Sequence, residues 1–225
     1  MGLNHMNTNK CKIFTGGAPI HCGAFSEKDF QGCFIIAADS GCAQIEHLCS
    51  CGITVHPDIL LGDMDSYSRE KALSAFPDAE FIKFPSEKDY TDTQLAVSIA
   101  CDKGYKDIEI IGGTGNRADH YLANLSLMRK YASCGINLSI NDGKNKISYQ
   151  KSGNIVIDND GKFKYFSLLP DGTELSDVYI DGAKYPLNGA CIDRDMPITV
   201  SNEITADKCN IKVGNGSFFL ILCSD

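Results

Sequence analysis

At 225 residues, 43% of them hydrophobic and 22% charged, the chain has the composition of a globular protein of one large or two modest domains. A net charge of −8 argues against nucleic-acid binding, which needs a basic stripe, but leaves room for a phosphate ligand bridged by a divalent cation. No apolar run reaches the roughly 18 residues of a membrane span, so neither nucleic acid nor membrane is expected as a partner.

The opening MGLNHMNTNK lacks an apolar stretch, so no secretory signal is expected, and Met6 stands where myristoylation needs Ser or Thr. It reads as a disordered lead-in. Strand and helix patterns then alternate. CKIFTGG is a strand running into a glycine turn, and FIIAADSG is a second strand followed by a helix, CAQIEHLCSC, that stops at Gly52. DILLGDMDS is followed by SREKALSAF, and AEFIKF by the helix TDTQLAVSIACDKG. There Thr91 and Gln94 form a capping box, Leu95, Ala96 and Ile99 share an apolar face, and Gly104 ends the helix. The strand DIEIIGG leads to a helix for which Asn116 is the expected cap, with Leu122, Leu125 and Met128 as its stripe and Gly135 as its stop; NLSIND is the next strand.

After Asp142 the texture changes. KISYQ, NIVIDND, GKFKYFSLLP, TELSDVYIDG, AKYPL, PITVSNEI, CNIKVGNG and SFFLILC are short strands broken by NDG, DG, NG and Pro, the pattern of β-hairpins. The expected fold is an N-terminal, mainly parallel α/β sheet domain over 11–142, followed by a C-terminal antiparallel β-sandwich domain over 146–225.

Eleven cysteines, an odd number without any CxxC, suit scattered thiols in a reducing cytosol, so a cytoplasmic location is expected. His47, Cys49, Cys51 and His56 are residue types that suit zinc. Their spacing matches no finger template and the segment reads as a helix end, so no zinc site is expected there.

Ligands of open α/β sheets sit beyond the carboxyl ends of the strands. Acids gather at those ends here: Asp39 after the second strand, Asp63 and Asp65 after the third, Asp89 and Asp92 after the fourth, and Asp119, beside Arg117 and His120, after the fifth. Asp39, Ser40, Asp92 and Asp119 each have an ordinary reading as helix-terminal residues. Asp63 and Asp65 do not. Two extended residues at i and i+2 point the same way, and their repulsion at roughly 6 Å with an effective dielectric near 20 is about 3 kcal/mol. A bound Mg²⁺ relieves that repulsion and prefers one or two carboxylates plus substrate phosphates. Two glycine turns, TGG ending at Gly17 and GGTGNR running through Gly113 and Thr114 to Arg117, offer amides to an anion, and Lys88 adds charge. Together these suit phosphoryl chemistry.

The motifs resemble those of the thiamine pyrophosphokinase family. They are Asp39-Ser40-Gly41, Gly62 to Ser66, Lys88-Asp89-Tyr90-Thr91-Asp92, and Gly112 through Arg117, Asp119 and His120 to Asn124. YFSLLP, GAKYPL and Ser201-Asn202-Glu203 extend the likeness into the C-terminal domain, so that it spans about residues 11 to 223. Pro197-Ile198-Thr199 stands where relatives often carry glycine. The resemblance implies transfer of pyrophosphate from ATP to the hydroxyl of thiamine, with AMP released. By motif position it assigns Asp63, Asp65 and Asp92 to Mg²⁺, with Asp39 nearby. Lys88, Arg117 and the glycine turns would hold the ATP phosphates, with Ser40, Ser66, Asp89, Thr91, Thr114 and His120 in the nucleotide site; Asp119 lines the same site, and Asp63, Asp65, Asp92, Arg117 and Asp119 are the expected catalytic residues. Asn124, Ser201 and Asn202 would meet the substrate. It further implies a homodimer whose thiamine site lies between the α/β domain of one subunit and the β-domain of the other.

Three other readings compete. Gly113 to Ala118 fits a dinucleotide fingerprint with Asp142 as the ribose acid, but leaves Asp63 and Asp65 unexplained. A D-x-D phosphatase would want Thr or Val where Tyr67 stands, and nucleotide-sugar transferases also use D-x-D for a metal. A binding protein that kept the fold without the chemistry is the third.

Overall fold

A computed structural model describes residues 9–62, 69–84, 89–115 and 117–225. Asp63, Asp65, Ser66, Lys88 and Asn116 lie outside them, as does most of the lead-in. The chain divides into two compact units, Met1–Gly143 and Lys144–Asp225. No described helix is long and apolar enough to cross a membrane.

The first unit holds strands β1 (Lys10–Phe14), β2 (Phe34–Ala38), β3 (Ile59–Gly62), β4 (Glu80–Lys83), β5 (Asp107–Ile111) and β6 (Asn137–Asn141). They lie in the order β6-β5-β1-β2-β3-β4 and every pairing is parallel. Helices α1 (Gly41–Ser50), α2 (Arg69–Ala75), α3 (Asp92–Asp102) and α4 (Ala118–Ala132) connect the strands. Side chains alternate across a strand. Phe14, Ile35, Ala37, Leu60 and Ile111 pack with Ile45 and Leu48 of α1 and Ala72 of α2 into one core. The intervening Ile13, Ile36, Ile59, Leu61, Ile108 and Ile110 are equally buried, and α3 packs on β1, β2 and β3 while α4 packs on β6. Burial on both faces explains why these strands read as continuous apolar runs.

The helix faces differ in detail from their expected stripes. On α3 the buried residues are Ala96, Val97 and Ala100, with Leu95 and Ile99 at the margin. On α4 they are Asn124, Leu127 and Met128, whereas Leu122 is 60% exposed. The α4 stripe runs through a polar residue, so a search for apolar periodicity settles on the wrong leucine. The Oγ1 of Thr91 accepts the amide of Gln94 at 3.2 Å, as a helix cap should. Arg117 occupies the N-cap position of α4 without a side-chain cap.

The second unit is antiparallel throughout: β7 (Asn145–Asp158), β8 (Tyr165–Pro170), β9 (Glu174–Asp181), β10 (Leu187–Asp193), β11 (Asn202–Glu203) and β12 (Lys208–Cys223). Two corrections to the hairpin reading stand out. KISYQ and NIVIDND are one strand, β7, and CNIKVGNG with SFFLILC is one strand, β12. The GNG between the latter pair is a bulge and not a turn: Val213 pairs with Gly153 and Ser217 with Lys151, so β12 spends two more residues than β7 over the same distance. There β12 exchanges its other neighbour, β9 before the bulge and β8 after it. A Cβ on Gly214 would come within 2.6 Å of Asp177, and one on Gly216 within 2.7 Å of Leu175, so glycine is required by close approach of β9. PITVSNEI also departs from expectation. Asn202–Glu203 pairs with β8 and Ile204 bridges to Ala183, while the preceding residues turn, Val200 donating to the carbonyl of Pro197 and Asn202 to that of Thr199. Conversely LNGACID, unremarked in the sequence, is β10. Residues of both wings, Phe166 and Leu168 with Leu175, Val178 and Ile192, share one core with Ile211 and Phe218.

Candidate active site

The strand order reverses at β1: β2, β3 and β4 lie to one side of it, and β5 and β6 to the other. Ligands of open α/β sheets bind in the crevice that opens at such a switch point, beyond the carboxyl ends. A cavity of about 390 Å³ lies there. It is lined by Thr15, Gly16 and Gly17 after β1, Asp39 and Ser40 after β2, Thr91, Asp92 and Thr93 at the start of α3, and Gly113, Gly115, Arg117, His120 and Asn124 after β5. Nine sequence-predicted site residues therefore meet: Gly17, Asp39, Ser40, Thr91, Asp92, Gly113, Arg117, His120 and Asn124.

The two glycine turns form one floor. A Cβ on Gly115 would come within 2.7 Å of the Gly17 Cα, and one on Gly16 within 1.9 Å of the Ser40 hydroxyl, so side chains at these points would fill the cavity floor. The Nδ2 of Asn124, 5% exposed, donates to the carbonyl of Gly113 at 3.1 Å and holds the second turn, whose Gly113 has φ +78°. Asn124 acts on the turn from beneath.

Asp39 is held in a left-handed conformation, φ +49°, with its amide donating to the carbonyl of Leu61 at 2.6 Å. Gly62, the last described residue before Asp63, backs onto it: a Cβ there would meet the Asp39 Cα at 3.3 Å. Among the described residues two buried side-chain oxygens lack a partner, Asp39 Oδ1 and Thr15 Oγ1. Both belong to cavity-lining residues. A buried carboxylate oxygen without a donor is costly, and a bound cation relieves that cost.

Arg117 and Asp119 form a two-pronged ion pair, Nη2 to Oδ2 at 2.5 Å and Nε to Oδ1 at 3.1 Å, both side chains mostly exposed. The hydrogen bond from the guanidinium lowers the Asp119 carboxyl to about 2. Asp119 itself, with Asp89 and Thr114, is not among the cavity-lining residues. The hydroxyl of Thr114 donates to Asp142 Oδ2 at 2.5 Å, which commits the acid that a dinucleotide reading would need for a ribose.

In the second unit, Ser201 is exposed with φ +59°, and its amide donates to the Ser167 hydroxyl at 3.1 Å. Asn202, 1% exposed, spends its amide internally: Oδ1 accepts from the backbone of Tyr185 and of Glu203, and Nδ2 donates to the Tyr185 carbonyl. Thr199 is a contributor that sequence reading missed. Its buried Oγ1 both donates to and accepts from the backbone of Leu168, pinning the turn that presents Ser201. No sequence signal distinguishes it from any other threonine.

The chain is similar to known proteins in both sequence and fold. Residues 30–140 match the family model for the catalytic domain of thiamin pyrophosphokinase, and residues 153–218 that for its vitamin B1 binding domain. The thiamine pyrophosphokinase of Bacillus subtilis (strain 168) is 30% identical over 165 residues, 73% of this chain and 77% of that one. The crystal structure of a thiamine pyrophosphokinase from Bacillus subtilis superposes with a TM-score of 0.82 at 28% identity, covering 96% of this chain and 99% of the other. One from Geobacillus thermodenitrificans gives 0.78 at 27%, covering 96% and 98%. On its two matched domains, its identity to a relative over most of both chains and its shared fold, the chain belongs to the thiamine pyrophosphokinase family.

Proposed function

We propose that the cavity binds ATP and that its pyrophosphoryl group passes to the hydroxyl of thiamine, with AMP leaving. Family membership makes the chain a diphosphotransferase. The observation that carries the proposal for this cavity is the meeting of two glycine turns, Asp39, Asp92, Arg117 and His120 around buried oxygens that have no partner among the described residues. In such transfers the protein does little covalent chemistry; positioning and electrostatics dominate. The amides of the turns at Gly17 and Gly113 face the phosphates, with Arg117 and Lys88 as the cations. Asp119 holds the Arg117 guanidinium flat and oriented, which suits bidentate capture of a phosphate.

The donor set fits Mg²⁺. Asp92 and the Oδ1 of Asp39, without a partner among the described residues, supply hard oxygen, and Asp63 and Asp65 come next in the sequence after Gly62, which backs onto Asp39. When bound, the ion screens the charge that gathers on the phosphate oxygens. Asp63, Asp65 and Asp92 are its proposed ligands.

Thiamine is proposed to lie against the second unit, which reads as a β-sandwich because its two wings enclose one core. Ser201 is the exposed polar anchor and Asn202 positions it. Tyr185, Ile198 and Val200, 54–58% exposed beside this turn, form an apolar surface suited to a ring and to a partner subunit. The proposed assembly is thus a homodimer acting in the cytoplasm.

Incubation with ATP, Mg²⁺ and thiamine tests the reading. AMP and thiamine diphosphate are expected in equal amounts, with turnover stopped by EDTA and restored by Mg²⁺. Inorganic phosphate without thiamine would indicate a phosphatase, and binding without AMP a sensor; either rejects the proposal.

A further inference from the structure

The loop joining β1 to β2 meets α1 along a seam that pyrophosphoryl transfer does not use. Gln44, His47 and Cys51 stand at i, i+3 and i+7 on α1 and its C-cap, one stripe of a helix. The loop answers in step with Ala18, Ile20 and Cys22. At the first rung Gln44 Nε2 donates to the Ala18 carbonyl at 3.0 Å, and its Oε1 accepts the Ile20 amide at 3.2 Å. At the next rung the Cys22 Sγ lies 3.9 Å from the His47 carbonyl. Beyond it the Cys22 Sγ, a ring nitrogen of His47 and the Cys51 Sγ all lie within 4.8 Å of one another. Cys22 and His47 are half-buried and Cys51 is exposed, so the trio is held by packing yet open to solvent on one side.

We infer that Cys22, His47 and Cys51 form a binding site for a soft divalent cation of the zinc class, with its fourth position open to water. Two thiolates and an imidazole are the donors such an ion selects, whereas Mg²⁺ takes oxygen, so this site and the carboxylate cavity divide the metals between them. A tetrahedral zinc with bonds of about 2.1 and 2.3 Å holds its donors about 3.7 Å apart, so closure needs a contraction of about 1 Å, within reach of side-chain rotation. Binding replaces two S–H bonds by two S–metal bonds and releases two protons per ion. The site is remote from the chemistry. Ser40, at the other end of α1, lines the cavity, and a ten-residue helix spans about 15 Å. Its effect is therefore structural: it fastens the loop that begins at Gly16 and Gly17 to the helix that carries Ser40 at its head. The sequence hides the trio because its third member comes from 25 residues before His47, whereas the nearby Cys49 and His56 are not part of it.

Cobalt reports the site directly. The reduced, metal-free full chain is titrated with Co²⁺, then with Zn²⁺. The expected result is a thiolate-to-cobalt charge-transfer band that saturates at one equivalent, with two protons released per ion, and that Zn²⁺ bleaches. Cobalt on carboxylates gives no such band, which keeps the two sites distinct. Cys22→Ser and Cys51→Ser should each at least halve the band and weaken Zn²⁺ binding by about 100-fold or more, since each removes a direct thiolate ligand, while Cys134→Ser keeps both. AMP formation with Mg²⁺ should be unchanged in Cys22→Ser. Absence of the band in the reduced protein, or its survival at undiminished intensity in Cys22→Ser, overturns the inference. So does oxidation of Cys22 and Cys51 to a disulfide in a protein whose reduced form binds no cobalt.

Discussion

Asp39 and Ser201 share an unusual property. Both are non-glycine residues in left-handed backbone, with φ of +49° and +59°. Such a conformation costs on the order of 1 kcal/mol and persists where the surroundings dictate it, often at functional positions. At Asp39 the reward is an acid that lines the cavity with its Oδ1 buried and, among the described residues, without a partner. Asparagine tolerates the same φ, so Asp39→Asn isolates the charge. The expected outcome is a fall in kcat of about 100-fold, the scale of a lost electrostatic contact, with Tm held within a few degrees; steady-state kinetics and calorimetry measure the two. Asp119 has a different signature. Its folded carboxyl titrates at about 2 because of Arg117, below the unfolded value of ~4. Whatever stability the pair contributes is therefore present above pH ~4 and is lost as pH falls towards 2. Asp119→Asn should leave the acid limb of the kcat/KM profile between pH 5 and 8 where it is, while raising the KM for ATP by about 10-fold through a looser Arg117. A displaced limb would instead make Asp119 the proton acceptor. These roles were half legible in the sequence: carboxylates after strands declare themselves, whereas the burial of Asn124 and Asn202 and the commitment of Thr114 to Asp142 depend on neighbours 11 to 28 residues away.

At the scale of elements, α1 shows why glycine follows Asp39-Ser40. A Cβ on Gly41 would lie 2.1 Å from the Phe14 carbonyl oxygen, so the helix begins in direct contact with β1 and brings Ser40 to the cavity. Gly41→Ala should cost about 3 kcal/mol, the upper range for overpacking, because the obstacle is strand backbone. Gly52→Ala at the other end meets nothing within 4 Å and bears only the strain of φ +84°, about 1 kcal/mol. Urea unfolding of the two variants gives the contrast, and equal losses would contradict it. Parallel strands were readable as apolar runs because both of their faces are covered. The bulge at Val213–Ser217 was not, since Gly-Asn-Gly satisfies a tight turn and a bulge alike. The choice falls to β9, whose Asp177 and Leu175 press on the two glycines.

On the scale of the whole molecule, the proposed thiamine site needs two chains. Light scattering should give about twice the 24.4 kDa of one chain. Co-refolding Asp92→Asn with Ser201→Trp, each inactive alone, should restore about a quarter of the sites, because half of randomly paired dimers are mixed and each has one unaltered site. No recovery would place both residues in a site within one chain. The sequence by itself determined the order of strands and helices in the first unit, the change from α/β texture to antiparallel strands, and the motif set that names the family, because these rest on local period, turn chemistry and residue type. Tertiary structure alone decided which residues share the crevice at the β1 switch point, that Asn124 and Asn202 face inward, and that Cys22 joins His47 and Cys51. Such meetings bring together residues distant along the chain, and their position is set by the packing of elements that no short window of sequence contains.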